Sequence, residues 1–305
     1  MTNYTLNNHL AYSIGGRDFG YREQPWEQYK VTMGAVDPDI YRTSSWREEL
    51  KRTADSVHRE FGKDLVVFLS GGTDSEIVVR NFLEIGVKPK CAIIKFDGNY
   101  NDYDVLEAQK IAVELDLDLE ILDFDVIDFH MSGQAKEFGA TIQCPQVTYL
   151  TVYHNILKLG APAVMGGELL LSKKIKQNPE WYYTFRELED ASAMRFSELY
   201  NLPLVNEWFS YTPEMVLYYL EHPTIVDLVN NKIEYKLSSV SSKNRILQGL
   251  YPETRRKLKT HGFERLRAFN FESYHEIWRG FVKRTESTID GIVVDDCLKM
   301  LRSRL

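Results

Sequence analysis

The stretch that most constrains this chain is Ser70-Gly71-Gly72-Thr73-Asp74-Ser75, taken together with its flanks. Before it, Asp64-Leu65-Val66-Val67-Phe68-Leu69 is a short apolar run of the kind that forms a buried strand. After it, Ile77, Val78, Val79, Phe82 and Leu83 recur at helical spacing up to Gly86, a natural helix stop. A strand, a glycine turn and a helix N-terminus in succession make an anion site. Glycines let the backbone come close, and free N–H groups at the positive end of the helix dipole face the anion. Ser70 and Ser75 add hydroxyl donors, and Asp74 can hold a magnesium ion bridging phosphate oxygens. The plainer reading is a strand-to-helix turn in which the glycines only permit the bend. The full string in this context argues against it. No Lys follows the glycines, so the loop is not a Walker A loop, and its spacing is not Gly-x-Gly-x-x-Gly.

The flanking chain sets the fold class. Residues 44–61 have helical character, with a serine to cap them and Trp46, Leu50, Ala54, Val57 and Phe61 as an apolar stripe. Past the loop, apolar strands at 90–96, 117–124 and 161–165 alternate with helices at 102–115, where Asp102 is the expected cap, and at 146–159. Single helices between strands predict an α/β fold, a parallel sheet with helices on both faces. Ligands bind at the carboxyl ends of such strands, where residues 70–75 sit. Beyond residue 180 strand signals fade, and helices are expected at 185–199, 212–221, 241–257, 273–283 and 288–302. The organisation read from this is an N-terminal extension over 1–60, a core over 61–180 and a helical substrate portion over 181–305. The period-two run Leu115-Asp116-Leu117-Asp118-Leu119-Glu120-Ile121 reads as a solvated sheet face and is given no role.

Composition excludes several classes. A net charge of −7 argues against a broad nucleic-acid footprint. Cys91, Cys144 and Cys297 are far apart and form no Cys-x-x-Cys pair, which predicts reduced thiols in a cytoplasmic protein without a zinc site. No apolar run reaches membrane-spanning length, and the N-terminus lacks the pattern of a signal peptide, so no membrane partner is expected.

Ser-Gly-Gly-x-Asp-Ser resembles the pyrophosphate loop of the N-type ATP pyrophosphatases, whose fold is adenine nucleotide alpha-hydrolase-like. That family cleaves ATP between the α and β phosphates and activates a carboxyl or carbonyl oxygen as an adenylate. Later segments resemble, in order, the synthetase domain of asparagine synthetases, which also occurs in β-lactam synthetases. They are Gly160-Ala161-Pro162-Ala163-Val164-Met165-Gly166-Gly167-Glu168, then residues 194–205, then Ser242-Lys243-Asn244-Arg245-Ile246-Leu247, Tyr251-Pro252-Glu253 and Lys259-Thr260-His261-Gly262-Phe263. The resemblance covers roughly residues 60–265. It implies an ATP- and Mg2+-dependent ligase that forms AMP and pyrophosphate and joins a small-molecule carboxylate to an amine or ammonia. Carried over, Ser70, Gly71, Gly72, Thr73, Asp74 and Ser75 would bind pyrophosphate, with Asp74 on the metal. Glu168 would act as a base near the reacting groups, Lys243 would steady the α-phosphate, and Lys259 would make a second phosphate contact. For Glu168 a helix-start carboxylate is the structural alternative, and for Lys259 a solvated helix face. A homo-oligomeric assembly is left open.

Three departures matter. The family's Gly-Glu-Gly-x-Asp-Glu string becomes Gly167-Glu168-Leu169-Leu170-Leu171-Ser172, so a leucine stands where an Asp would share the magnesium. Glu76 follows the loop where the family has a small residue. Position 2 is Thr and not the Cys nucleophile of a glutamine amidotransferase domain, so the expected nitrogen source is ammonia, a substrate amine or a partner's product. Tyr182, Tyr183, Tyr200, Trp208, Tyr211, Tyr218 and Tyr219 are candidates to line the acceptor pocket, with core packing as the alternative. Two other readings share the loop: a nucleobase- or RNA-modifying enzyme, against which the charge and cysteine spacing argue, and a nucleotide-binding protein with weak catalysis, which Leu171 supports.

Overall fold

The structure, a computed structural model, describes residues 9–14, 16–18, 29–144, 147–167, 169, 171–173, 180–184, 192–230, 239–255, 262–266 and 292–305. Strands β1 (Leu10–Ile14), β2 (Arg17–Asp18) and β3 (Tyr29–Met33) pair antiparallel in the order β2-β1-β3. Helices α1 (Pro38–Thr43) and α2 (Trp46–Phe61) follow. Ser45 caps α2 by accepting from the Glu48 N–H, and of the predicted stripe Trp46, Leu50, Ala54 and Val57 are buried while Phe61, at the helix end, is partly buried against the same core.

The core then alternates strand and helix. It runs β4 (Val66–Phe68), α3 (Thr73–Glu84), β5 (Lys90–Phe96), α4 (Asp102–Glu114), β6 (Leu119–Phe124), α5 (Val126–Met131), α6 (Gln134–Ile142), α7 (Val147–Leu159) and β7 (Ala163–Val164). The remainder is β8 (Leu171–Lys173), β9 (Trp181–Tyr183), α8 (Ser192–Tyr200), β10 (Leu204–Val205), α9 (Pro213–Glu221), α10 (Pro223–Val229), α11 (Ser239–Leu250), α12 (Phe263–Leu266), β11 (Ile292–Val293) and α13 (Val294–Leu301). Among the described residues, five strands form the central parallel sheet in the order β10-β7-β4-β5-β6.

Both faces of that sheet are covered, and the alternation of side chains says by what. Val67, Leu69, Cys91 and Ile93 join a core with residues of α2, α3, α4 and α9. Val66, Phe68, Ala92, Ile94 and Phe96 join a second core with residues of α5, α6, α7 and α8. Because β4 is central and buried on both sides, it reads as a continuous apolar run. The expected α/β fold is present.

Several details differ from the expectation. Strand β6 starts at Leu119 because Asp116 turns the chain with a φ of 53°. Helix α4 begins after Asn101, which gives no side-chain cap, and Asp102 is its first residue. Short strands persist beyond residue 180: β10 joins the central sheet, while β9 pairs antiparallel with β8 and β11. Their two or three residues are too few for periodicity to register. The helix expected at 273–283 lies outside the described residues.

Candidate active site

The strand order places the loop. From β4 the chain steps outward to β5 and β6, then crosses back to β7 and β10 on the other side. The order therefore reverses between β4 and β7, the switch point at which open α/β sheets form a crevice at their carboxyl ends. Residues 70–75 leave the carboxyl end of β4, and Gly166 and Gly167 leave that of β7.

The loop is held from within by one hydroxyl. Ser75 is buried, and its Oγ accepts from the Ser70 N–H at 3.1 Å, lies 3.1 Å from the Ser70 Oγ and donates to the Gly72 carbonyl at 3.1 Å. Gly71 has a φ of 71°, and a Cβ there would fall 2.8 Å from both the Asp104 carbonyl oxygen and the Ala108 nitrogen of α4. Glycine is required at 71 on both counts. Gly72 has an ordinary φ of −88° and caps α3 without a side-chain hydrogen bond. A Cβ there would meet only the Ser70 Oγ, at 3.5 Å. The first N–H groups of α3 thus have no capping side chain from residue 72, and the dipole favours a negative ligand there.

Asp74, in the first turn of α3, stands against β7. A Cβ on Gly166 would fall 2.9 Å from the Asp74 Cβ and 3.3 Å from the Ser75 nitrogen. On the next residue, Gly167 has a φ of 66°, and a Cβ there would run into the Asn206 carbonyl oxygen and fall 3.0 Å from a carboxylate oxygen of Glu207. Asn206 and Glu207 directly follow β10, and Asn206 Nδ2 donates to Glu207 Oε1 at 3.2 Å. One Gly-Gly pair therefore touches two acidic residues at the carboxyl ends of three neighbouring strands, the Cβ of Asp74 through Gly166 and the carboxylate of Glu207 through Gly167. Leu171, which the sequence resemblance sets in place of an Asp, is a buried residue of β8 opposite Tyr183. Among the described residues, no group of three or more His, Cys, Asp or Glu side chains gathers as a metal centre.

Thr73 faces inward to the protein, its hydroxyl donating to the Arg255 carbonyl at 3.2 Å. The segment that carries Arg255 follows α11 and is anchored further along α3. Asn81 Nδ2 donates to the Tyr251 hydroxyl oxygen at 2.5 Å, and Trp208 Nε1 donates to Asn81 Oδ1 at 3.0 Å. Burial raises the Tyr251 hydroxyl far above the usual phenol range, so it stays protonated. Hydrogen bonds from the Arg255 guanidinium hold Glu114 below the usual carboxylate range.

Of the residues expected from sequence, Ser70, Gly71 and Gly72 form the loop, and Thr73, Asp74 and Ser75 form the first turn of α3. Lys243 lies on helix α11, but its side chain is not among those described. Glu168 and Lys259 lie outside the described residues. Tyr183, Trp208, Tyr211 and Tyr219 belong to the packed core, which is the alternative given for them. Sequence reasoning included Gly166 in a resembling segment without giving it a role, and it missed Glu207. Their signal is a small or acidic residue two positions after a short buried strand, which becomes informative only when the strand order is known.

No protein-family model matches the chain, and no curated protein matches it. Solved structures overlap it in part. A "predicted subunit of tRNA methyltransferase" from Methanocaldococcus jannaschii is 15% identical, with a TM-score of 0.31 over 63% of this chain and 91% of its own. NMN synthetase from Francisella tularensis is 14% identical, with a TM-score of 0.32 over 71% of this chain and 97% of its own. NH3-dependent NAD synthetase from Campylobacter jejuni is 12% identical, with a TM-score of 0.32 over 72% of this chain and 100% of its own. The fold is read from the strand order itself.

Proposed function

We propose that this chain is an ATP-dependent ligase of the N-type ATP pyrophosphatase kind, which adenylates a carboxylate or carbonyl, releases pyrophosphate and transfers the activated group to an amine or ammonia. One observation carries the reading: a Ser-Gly-Gly-x-Asp-Ser loop at the switch point of a parallel sheet, ahead of a helix that no side chain caps.

In this reading the N–H groups of residues 71–75 and the α3 dipole hold the departing pyrophosphate, and electrostatic stabilisation of that charge is the main catalytic effect. Asp74 and Glu207 would hold magnesium together with phosphate oxygens, because Mg2+ takes one or two carboxylates and completes its shell with phosphate and water. When bound, the ion neutralises charge building on the pyrophosphate. The substrate oxygen attacks the α-phosphorus as the bond to the β-phosphate oxygen breaks. The Lys243 ammonium would pair with the α-phosphate, and Lys259 would add a second phosphate contact. The Glu168 carboxylate would take a proton from the incoming ammonium, so that nitrogen attacks the acyl carbon and AMP leaves. The asparagine synthetase-like choice of a carboxylate and ammonia, rather than a nucleobase, rests on the ordered downstream segments and the acidic charge.

The test is incubation of purified protein with ATP, magnesium, ammonia and a panel of amino acids and other carboxylates. The expected result is equal release of AMP and pyrophosphate with a particular acid. Release that needs RNA, or ATP bound without turnover on any acid, contradicts the ligase reading.

A further inference from the structure

Glu76 departs from the small residue expected after a pyrophosphate loop, and its surroundings give it a task. It lies one turn into α3 and is only 1% exposed. An uncompensated carboxylate there would repel the anion that the helix N-terminus attracts, and burial would add its own cost. Both oxygens are used. Oε1 accepts from Arg80 Nε at 2.9 Å and Nη2 at 2.7 Å, and Oε2 accepts the backbone N–H of Arg255 at 2.9 Å. The carbonyl of Arg255 is held in turn by the Thr73 hydroxyl. Both backbone polar groups of Arg255 are thus fixed by the first turn of α3. The Arg255 side chain donates to Glu114 at 2.9 and 2.7 Å, and Arg80 reaches Glu114 at 3.2 Å. The loop helix, the end of α4 and the segment after α11 are joined through four charged side chains.

A purely structural contact would not need a buried carboxylate beside an anion site, since apolar residues of similar volume often replace buried ion pairs without loss of stability. What the carboxylate adds is direction: it fixes one peptide unit relative to Thr73. That unit closes the turn that follows α11, the helix carrying Lys243, and buried Ile246 and Leu247 seat α11 in the same core as α3. We infer that Glu76 is a positioning residue, which fixes the segment following α11 on the phosphate loop so that the two act as one unit during pyrophosphate release. The inference rests on the reading of the loop as an ATP phosphate site. The loop's internal bonds, from Ser75 to Ser70 and Gly72, do not involve Glu76. Losing Glu76 therefore affects turnover more than ATP affinity.

The test compares Glu76→Ala and Glu76→Gln in the full chain by Mg-ATP affinity, pyrophosphate release and tryptic cleavage after Arg255. Glu76→Ala is expected to keep ATP affinity within about threefold, to lose about tenfold in kcat and to be cleaved after Arg255 several times faster. Glu76→Gln keeps an oxygen for the Arg255 N–H and is expected to recover most of the rate, Arg80 retaining Glu114. If Glu76→Ala does not fold, Thr73→Val breaks only the second tether and is expected to lower kcat in the same sense. Unchanged kcat in these variants overturns the inference, and so does loss of ATP affinity in step with kcat that Gln does not rescue. If the wild type releases no pyrophosphate on any acid, the ligase reading fails by itself. Cleavage after Arg255 then still decides the tether, and an unchanged rate in Glu76→Ala overturns it.

Discussion

Asp74 packs against Gly166 so closely that a methyl group on Gly166 would fall 2.9 Å from the Asp74 Cβ. The two residues belong to different strand ends, and their contact joins the start of α3 to β7 across the switch point. A Gly166→Ala variant must push Asp74 or the first turn of α3 aside. It is expected to cost about 1–3 kcal/mol in stability through overpacking. The Mg2+ concentration needed for half-maximal pyrophosphate release is expected to rise at least several-fold, and a magnesium titration of initial rates checks this.

The two loop glycines are expected to fail differently. Gly71→Ala places a side chain at positive φ and into the α4 backbone, for an expected loss of roughly 2 kcal/mol or more by denaturant unfolding. Gly72→Ala meets ordinary packing and is expected to leave the unfolding midpoint nearly unchanged. In the proposed reading its methyl group would stand where a phosphate approaches the backbone, so ATP affinity is expected to fall about tenfold by direct binding measurement.

Much of this was legible in the sequence. The apolar run at 65–69 and the helical spacing after Gly72 gave strand, loop and helix, because a strand buried on both faces and a helix with one buried side leave different periods. Ser45 and the stripe from Trp46 to Val57 gave α2 for the same reason. What stayed hidden depends on distant partners. Glu207 gains its place beside Gly167 only through the pairing of two-residue β10 with β7. Glu76 is in the sequence only a departure from an expected small residue, and its partner Arg255 lies far along the chain. Helices α5 and α6 were missed because Val126–Met131 spans fewer than two turns and glycines at 133 and 139 interrupt the pattern that follows.

The network around Asn81 makes a separate stability prediction. Trp208→Phe would leave Asn81 Oδ1 buried without its donor, at an expected cost of about 1–3 kcal/mol. Tyr251→Phe would strand the Asn81 amide in the same way. Because both variants act through Asn81, their effects are expected to be less than additive, which a double-mutant cycle in urea unfolding measures.

Acid should weaken the fold through two histidines. Burial lowers His9 and His130 from 6.5 to about 4, and neither ring nitrogen of His130 has a hydrogen-bond partner among the described residues. Between pH 6.5 and about 4 the unfolded chain protonates both while the folded chain does not. Stability is therefore expected to fall as pH drops through that window, by about 3 kcal/mol for each histidine, and to be insensitive to them above it. His130→Phe, among the rings of Phe129 and Phe263, is expected to shallow the slope of unfolding free energy against pH.

The most direct test of the central claim is which bond of ATP is broken, and whether Asp74 is needed to break it. Product analysis with labelled ATP, an activating acid and magnesium is expected to give AMP and pyrophosphate in equal amounts, falling at least a hundredfold in Asp74→Asn. ADP and inorganic phosphate as products, or full pyrophosphate release from Asp74→Asn, would contradict the account.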